Sequence, residues 1–308
     1  QLEWARLIGG RVLILAPLAV AHQTVSEARK LGIDLTYCRT PQEMSPTLSI
    51  TNYERLDAFD AVDLNGVVAD ESSILKSFDG KTRGRLIDRF RSVPYRLACT
   101  ATPAPNDYLE LGNHAEFLGI MRWQEMAATF FIHDAQSGGD ARNQPWRLKG
   151  HGEDAFWRWL VQWGVFIKRP SDIGFSDDRF KLPPMSIDEI VVPTDAKPDG
   201  YLLAVGLKGI GDRARARKAS RVDRVSRAAD IINADREQWI AWCGLNDEAD
   251  QLAATLDDCR NVSGNDDPEE KAQALLDFAS GKYRVLITKP RIAGFGLNFQ
   301  NCARQVFV

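Results

Sequence analysis

The sequence has no apolar run close to the roughly 20 residues that a membrane helix needs. The longest candidate spans residues 12–21, is short and contains Pro17, so a membrane protein is not predicted. Neither sign of charge dominates, because 39 Lys and Arg against 42 Asp and Glu give a net charge of −3. The net charge is therefore too small for the whole chain to bind nucleic acid electrostatically. A contact with nucleic acid would have to come from a local group of basic residues.

Cysteine is scarce, and its five copies include no Cys-x-x-Cys pair. An odd number without paired spacing predicts reduced, buried thiols of a cytoplasmic protein, and neither a disulfide framework nor a zinc site. The four histidines lack close-paired ligand spacing, which also argues against zinc. The cysteines are Cys38, Cys99, Cys243, Cys259 and Cys302.

Short β-rich runs alternate with helical patterns, which is typical of α/β architecture with parallel sheets. In the first half of the chain the runs are almost continuously apolar or β-branched, as expected of parallel strands that are buried on both faces. Strands are predicted at residues 12–16, 48–51, 66–70, 96–100, 238–243, 284–288 and 305–308. Helices are predicted at residues 20–31 and between Asp267, as N-cap, and Gly281. Two similar α/β lobes are the simplest account.

Residues 107–168 depart from this alternation. No strand is predicted there, and we expect a helical insertion with a loop at residues 137–152. Five of the eight tryptophans lie in it, and we expect core packing rather than base stacking. Prolines then predict an extended linker at residues 181–186, between lobes at 1–180 and 187–308. The helical stripe of the insertion is Phe156, Trp159, Leu160, Trp163 and Ile167.

Two adjacent acids, Asp70 and Glu71, end the predicted strand at residues 66–70. Ligands of open α/β sheets bind beyond the carboxyl ends of strands, where Asp can hold Mg²⁺ and Glu can orient or deprotonate a water. Thr100 ends the next predicted strand and Thr102 lies just beyond it, and their hydroxyls can hydrogen-bond to a neighbouring carboxylate. Each feature alone is equally compatible with an ordinary turn, so it is their combination that predicts a site.

An ordered set of motifs extends over nearly the whole chain. It comprises Val12-Leu13-Ile14-Leu15-Ala16-Pro17, Ile50-Thr51-Asn52-Tyr53-Glu54, Asp70-Glu71, Thr100-Ala101-Thr102-Pro103 and Gly294-Phe295-Gly296-Leu297-Asn298. The set resembles motifs Ia, Ib, II, III and V of the Swi/Snf-like superfamily 2 (DEAD/DEAH-box) helicase ATPases. Trp242-Cys243-Gly244-Leu245 is similar to motif IV, and Phe166-Ile167-Lys168-Arg169 with Leu182-Pro183-Pro184 is similar to the join between that family's lobes.

This resemblance implies two RecA-like lobes with ATP and Mg²⁺ in a cleft and nucleic acid across both. Asp70 would hold Mg²⁺ and Glu71 would position the attacking water. Residues implied to couple hydrolysis to nucleic acid are Ser73, Thr100 and Thr102, and those implied to line the nucleotide cleft are Gly294, Gly296 and Asn298. Ser73 stands where the family often has histidine, and serine cannot carry histidine's switchable charge.

Two parts of the family pattern are missing. No Gly-x-x-x-x-Gly-Lys-Ser/Thr loop occurs to hold the β- and γ-phosphates. The arginine-rich motif VI, whose arginine finger contributes roughly 10³–10⁵ in rate, is also absent. In the family these segments would precede Gln1 and follow Val308. We therefore expect a fragment, truncated at both ends, of a protein from a bacterial or phage source.

A basic stretch between Arg213 and Arg227 is the predicted nucleic-acid contact. Its arginines at helical spacing form one face that could follow a phosphate backbone, with only Asp212 and Asp223 nearby to neutralise it. The alternative is a solvated face with ion pairs. The predicted nucleic-acid-binding residues are Arg217, Arg221, Arg224 and, in a groove, Thr51, Asn52 and Lys289.

The resulting hypothesis is an ATP-dependent translocase or helicase that acts on duplex DNA. An RNA helicase is the alternative among enzymes, and the insertion at residues 107–168 favours the DNA enzyme, because Swi/Snf-like proteins carry an insertion after motif III that compact RNA helicases lack. A non-catalytic nucleic-acid-binding remnant is the alternative outside enzymes.

Overall fold

The computed structural model describes residues 1–60, 62–76, 81–133, 146–194, 210–294 and 296–308. The chain divides into two compact units. The first comprises Gln1–Leu15, Cys38–Ser49 and Arg55–Asp188, and the second comprises Ala16–Tyr37, Ile50–Glu54 and Glu189–Val308. The predicted lobe and linker boundaries remain predictions.

The strands of the described residues form two larger sheets and one small one. They are β1 Val12–Ala16, β2 Thr36–Tyr37, β3 Leu48–Asn52, β4 Gly66–Asp70, β5 Tyr95–Cys99, β6 Phe131–His133, β7 Trp146–Leu148, β8 Trp239–Trp242, β9 Cys259–Asn261, β10 Val285–Thr288 and β11 Arg304–Phe307. One sheet has the order β2-β3-β1-β4-β5, another the order β11-β8-β10-β9, and β6 pairs with β7. β4 is parallel to β1 and β5, and every pairing of the four-stranded sheet is parallel.

Helices connect these strands. They are α1 Leu2–Ile8, α2 Leu18–Lys30, α3 Lys81–Phe90, α4 Leu111–Leu118, α5 Trp123–Phe130, α6 Glu153–Leu160, α7 Ile210–Ala219, α8 Arg221–Asn233, α9 Asn246–Thr255, α10 Pro268–Ala279 and α11 Pro290–Ala293. The predicted parallel α/β fold is confirmed. Every residue of β1, β3, β8 and β10 is buried, as expected of parallel strands covered on both faces.

The insertion at residues 107–168 is not purely helical, so that part of the prediction is wrong. β6 and β7 pair antiparallel within it, while residues 137–145 of the predicted loop lie outside the described residues. α6 ends at Leu160, and Ile167, at the end of the predicted stripe, is half exposed. Aromatic packing explains the difference, because Phe156 is fully buried against the rings of Phe130 and Phe131, which precede and begin the small sheet.

Tryptophans of the insertion pack against this aromatic cluster. Trp123, Trp146, Trp159 and Trp163 all contact it, as the core-packing interpretation predicts. Trp157 is more exposed, and its ring lies edge-on to that of Tyr108 with centroids 5.2 Å apart.

Cysteines in the structure are all free thiols. Cys38, Cys243 and Cys302 are buried, whereas Cys99 and Cys259 are only partly buried, so the prediction of buried thiols is confirmed for three of the five. Burial raises the pKa of Cys38 to about 11 and that of Cys243 to about 12, which keeps both thiols protonated at neutral pH.

Within the described ranges, no helix combines the length and the hydropathy that a bilayer-spanning helix requires.

α10 begins and ends as its sequence predicts. The Asp267 carboxylate accepts hydrogen bonds from the N–H groups of Glu269 and Glu270, and Pro268 takes the first helical position. These contacts satisfy amide groups that the helix leaves without partners. Gly281 has a φ of 84° just after the helix, a left-handed conformation that glycine adopts without steric cost.

Removing the N-cap tests this account of α10. We expect Asp267→Ala to lower the free energy of unfolding by about 0.5–2 kcal/mol, because two amide groups lose their acceptor. The exposed Asp257, substituted by alanine, is the control. Urea unfolding followed by circular dichroism measures both, and equal stabilities of the two variants would contradict the capping role.

Candidate active site

Asp70 and Glu71 lie at the carboxyl end of β4, an interior strand of the five-stranded sheet. The ladder aligns Asp70 with Cys99, the last residue of β5, so that Thr100 follows at the same edge of the sheet. On its other side β4 pairs with β1, with Ala69 opposite Leu15. The first and third predicted motif segments and the Thr100 segment therefore meet at one sheet edge.

The carboxylate of Asp70 accepts hydrogen bonds from Gln1 and from the neighbouring Glu71. Oδ2 lies 3.0 Å from Nε2 of Gln1, and Oδ1 lies 3.1 Å from the backbone nitrogen of Glu71. Gln1 precedes α1, so the start of this helix is brought to the end of β4.

Glu71 has a φ of 51°, one of two positive values found at non-glycine residues in the described chain. The left-handed region costs a residue with a Cβ roughly 1–2 kcal/mol, and such strain persists only where the surroundings impose it. Burial, and secondly the neighbouring Asp70 charge, raise the pKa of the Glu71 carboxyl. A strained, partly desolvated carboxyl group is characteristic of functional sites.

The threonines beyond β5 form a hydroxyl turn. Oγ1 of Thr100 accepts a hydrogen bond from the backbone nitrogen of Thr102, at 3.1 Å. Thr100 is partly buried and Thr102 is exposed. This local bond fixes the conformation of the segment after β5, while the coupling role of the two threonines remains a prediction.

The segment after Glu71 contains a contact that no sequence pattern predicts. Ser73 is partly buried in the 3₁₀ segment Ser72–Lys76, but its neighbour Ser72 is fully buried and lies 3.2 Å from Nε2 of His114 in α4. No local signal identifies this pair, because 42 residues separate its members. The coupling role predicted for Ser73 is untested.

Residues predicted for the nucleotide cleft lie in the second unit, after β10. Gly296 has a φ of 69°, which explains why glycine occupies this turn. The side-chain amide of Gln23 pairs with the backbone of Asn298, donating to its carbonyl oxygen at 3.2 Å and accepting from its nitrogen at 3.1 Å. A Cβ on Gly294 would lie 2.4 Å from the carbonyl oxygen of Pro290. Phe295 lies outside the described residues, and the cleft assignment remains a prediction.

The predicted groove residues present little side-chain surface. Thr51 is fully buried, and Asn52 is buried with its side chain bonded to Tyr37 and Glu54. Lys289 is partly buried and donates to Oδ1 of Asn246 at 2.5 Å. Their role in nucleic-acid binding remains a prediction that requires local rearrangement or backbone contacts.

The basic stretch is two helices rather than one face. α7 ends at Ala219 and α8 begins at Arg221, because Ser220 departs from helical geometry with φ −82° and ψ 8°. The expectation that only Asp212 and Asp223 are near enough to neutralise its arginines is wrong. Glu248 and Asp247, from the start of α9, also form ion pairs with them.

Glu248 is the centre of this ion-pair cluster. Its side chain is fully buried and accepts from Nε of Arg217 at 3.1 Å and from Nη2 of Arg224 at 2.7 Å. The backbone nitrogens of Gly244 and Leu245 donate to it at 3.0 and 2.9 Å. Burial raises the pKa of Glu248, but the hydrogen bonds from Leu245 and the two arginines together lower it below its ordinary value.

Asp247 engages the third arginine of the predicted face. Oδ2 of Asp247 accepts from Nη1 of Arg221 at 2.6 Å. All three arginines that were predicted to contact phosphates therefore hold carboxylates of α9 in this structure. Their nucleic-acid role remains a prediction, and these ion pairs weigh against it.

No group of three or more histidine, cysteine or carboxylate side chains suited to a metal occurs among the described residues. Mg²⁺, however, is usually held by one or two carboxylates together with water and substrate phosphates, and not by a protein cage. The carboxylate of Asp70 at the strand end is compatible with that mode of binding.

Comparisons with known proteins identify a fold and not a family. No protein-family model and no curated protein matches the chain. Among solved structures, it is similar to S. cerevisiae Dbp5 bound to RNA and ADP BeF3, with a TM-score of 0.52 and 14% identity over 100% of this chain and 63% of that one. A Dbp5 variant bound to Gle1 and IP6 gives a TM-score of 0.49 and 13% identity, over 97% and 61%.

A third similarity is to the Sulfolobus solfataricus SWI2/SNF2 ATPase core in complex with dsDNA, with a TM-score of 0.43 and 12% identity over 99% of this chain and 78% of that one. The chain thus spans about three fifths of the Dbp5 chains. Of these three structures, the Dbp5–RNA structure has a TM-score above 0.5, and at 14% identity this likeness shows the fold alone. That fold is a parallel, RecA-like α/β fold.

Replacing the Glu71 charge tests its environment. Because its pKa is raised on folding, the group contributes stability that is fully present below the unfolded pKa of about 4.3 and is lost as pH rises through the folded pKa. We therefore expect Glu71→Gln to be more stable than the parent at about pH 7, with the difference shrinking toward about pH 4.5. Urea unfolding across this range measures it. The exposed Glu237, changed to glutamine, is the control, and a pH-independent difference would contradict the assignment.

A second variant separates ion pairing from phosphate contact in α8. We expect Arg224→Ala to lower the free energy of unfolding by about 1–3 kcal/mol, because the buried Glu248 loses a charged donor. We expect the slope of log K for DNA against log salt to stay unchanged. A lost phosphate contact would instead reduce the slope by roughly 0.7–0.9. Fluorescence anisotropy over a salt series measures this slope, with Arg227→Ala as the exposed control.

Proposed function

We propose that this protein is a nucleic-acid-dependent ATPase of the superfamily 2 type, and more specifically an ATP-dependent DNA translocase or helicase. The observation that carries the proposal is the Asp70–Glu71 pair at the carboxyl end of interior strand β4, next to the segment that begins with Thr100. Parallel α/β sheets bind their ligands at this edge. The fold likeness to Dbp5 bound to RNA and ADP BeF3 supports a nucleotide and a nucleic acid as ligands.

In this mechanism each acid has its own task. Asp70 would hold Mg²⁺, which supplies charge neutralisation for the transferred phosphoryl group when bound. Glu71 would orient the attacking water, and its raised pKa suits a carboxylate that accepts a proton during attack. Positioning by such residues accounts for much of the rate in phosphoryl transfer.

The choice between DNA and RNA rests on the insertion. Residues 107–168 contain α4, α5, α6 and the small sheet of β6 and β7, a substantial addition after Thr100–Pro103. By resemblance, such an insertion is typical of Swi/Snf-like DNA translocases and absent from compact RNA helicases. An RNA helicase remains the second candidate, because RNA is the ligand in the Dbp5 structure of similar fold.

Hydrolysis also requires groups that these 308 residues do not supply. The sequence contains no Gly-rich phosphate loop. We propose that an active form carries this loop and an arginine finger in addition to these residues. A remnant that binds nucleic acid without hydrolysis is the alternative.

ATP hydrolysis with and without duplex DNA tests the proposal. We expect this chain alone to turn over ATP slowly or not at all, and a longer form with the phosphate loop and the arginine finger to show DNA-stimulated hydrolysis. In the longer form, Glu71→Gln should retain ATP binding and lose at least about 10²-fold in turnover. Glu237→Gln, exposed and in the second unit, is the matched control. Turnover of Glu71→Gln at the parental rate would remove the proposed role of Glu71, and stimulation by RNA alone would favour the RNA helicase.

A further inference from the structure

The backbone around Glu71 is held from both sides. On one side its nitrogen donates to Oδ1 of Asp70 at 3.1 Å, and on the other its carbonyl oxygen accepts from Ile74 at 3.3 Å. Ser72, the next residue, is fully buried and has its hydroxyl 3.2 Å from Nε2 of His114. Glu71, with its left-handed φ, is thus flanked by Asp70, to which its nitrogen donates, and by Ser72, which contacts His114.

His114 is itself fixed within α4. Only 4% of its surface is exposed, and its Nδ1 lies 3.4 Å from the carbonyl oxygen of Glu110. That oxygen can only accept, so a proton on Nδ1 pairs with it and leaves Nε2 to accept from the rotatable hydroxyl of Ser72, whereas a proton on Nε2 is donated to Ser72. Either tautomer keeps the contact between Ser72 and His114. Burial lowers the pKa of His114, which keeps the ring neutral at pH 7, although the carbonyls of Glu110 and Ser72 act in the opposite direction.

The start of α4 is tied to the segment that follows Thr102. The buried carboxylate of Glu110 accepts a hydrogen bond from Nδ2 of Asn106 at 2.7 Å. Within α4, the fully buried Asn113 accepts a hydrogen bond from Nη1 of Arg83 in α3 at 2.8 Å. His114 therefore joins a helix anchored beyond Thr102 to the residue that follows Glu71.

We propose that His114 is a positioning residue, which through its hydrogen bond to Ser72 holds Glu71 in the left-handed conformation that aims its carboxylate. This proposal rests on the proposed role of Glu71 in orienting water. It assigns to a histidine of α4, 42 residues from Ser72, a role in holding the backbone of Glu71. His114 touches no reacting atom and acts only through the backbone of residues 71–72.

The first test uses the 308-residue chain and needs no catalysis. Backbone ¹³Cα and ¹³Cβ chemical shifts of Glu71 report its φ. We expect Ser72→Ala and His114→Ala to move these shifts in the same direction, away from left-handed values. His114→Gln, which can still accept from Ser72, should retain the parental shifts. The exposed His151, changed to alanine, is the control. Unmoved Glu71 shifts in both alanine variants would overturn the proposal.

The second test uses the longer, ATP-hydrolysing form. We expect Ser72→Ala and His114→Ala each to lower kcat by about ten- to a hundredfold with KM for ATP nearly unchanged, because a displaced Glu71 misplaces the water. The double variant should be no worse than either single one, since both remove the same contact. His114→Gln should recover most of the rate. Additive losses, or loss in KM alone, would overturn the positioning role.

Failure of the proposed function gives a different result. If Glu71→Gln turns over ATP at the parental rate while the Glu71 shifts respond to Ser72→Ala, the contact exists but Glu71 does not orient water. If Glu71→Gln is inactive and the shifts do not respond, Glu71 is catalytic and His114 does not position it. Thermal unfolding of each variant shows whether it still folds. Ser72→Ala is the smallest of these changes and is therefore the variant least expected to unfold the protein.

Discussion

The register of β4 between β1 and β5 is the constraint on which the candidate site depends. Parallel pairing aligns Asp70 with Cys99, so residues far apart in sequence end their strands at one edge of the sheet. A slip of one residue would turn every side chain of β4 to the opposite face of the sheet, where it would have to pack against different neighbours, and Asp70 would no longer align with Cys99. The apolar runs thus determine where the polar residues after them meet.

In the second unit a buried carboxylate has a comparable effect. Glu248 fixes the turn after β8 through the nitrogens of Gly244 and Leu245, and it holds arginines of α7 and α8. Gly244 permits this, because a Cβ there would lie 2.5 Å from Nη2 of Arg217. Arg217 and Arg224, which the sequence suggests as phosphate contacts, already neutralise the buried carboxylate of Glu248. Without them, the burial of this charge would be costly.

The sequence predicts the sheets well because burial on both faces leaves a direct signal. The strands at residues 12–16 and 66–70 have the predicted bounds, and that at 96–100 lies one residue earlier. β2 and β9 were missed because they are edge strands of two and three residues with little apolar pattern. The pair of β6 and β7 was missed because its burial comes from aromatic contacts with Phe156, which a helical period cannot reveal.

For the candidate site too, the sequence predicts some features and not others. Asp70 and Glu71 could be predicted because one ends a buried strand and the other directly follows it. The partners of Ser72 and Arg224 lie 42 and 24 residues away and depend on tertiary packing. Local spacing also predicted one continuous basic face, although Ser220 interrupts it. Short-range patterns carry information about elements and strand ends, and they carry little about which side chains meet.

The backbone strain and the burial of Glu71 relate these observations to function. Its left-handed φ and its desolvation beside Asp70 both oppose folding, and glycine at this position would avoid both. Strain of this size, on the order of 1–3 kcal/mol, persists where surrounding structure over-determines the backbone. Here the fully buried residues preceding Asp70 and the Ser72–His114 contact supply that structure. A destabilising carboxylate held on both sides by stable elements is easier to explain as part of a reaction site than as part of the fold, because the fold gains nothing from its charge.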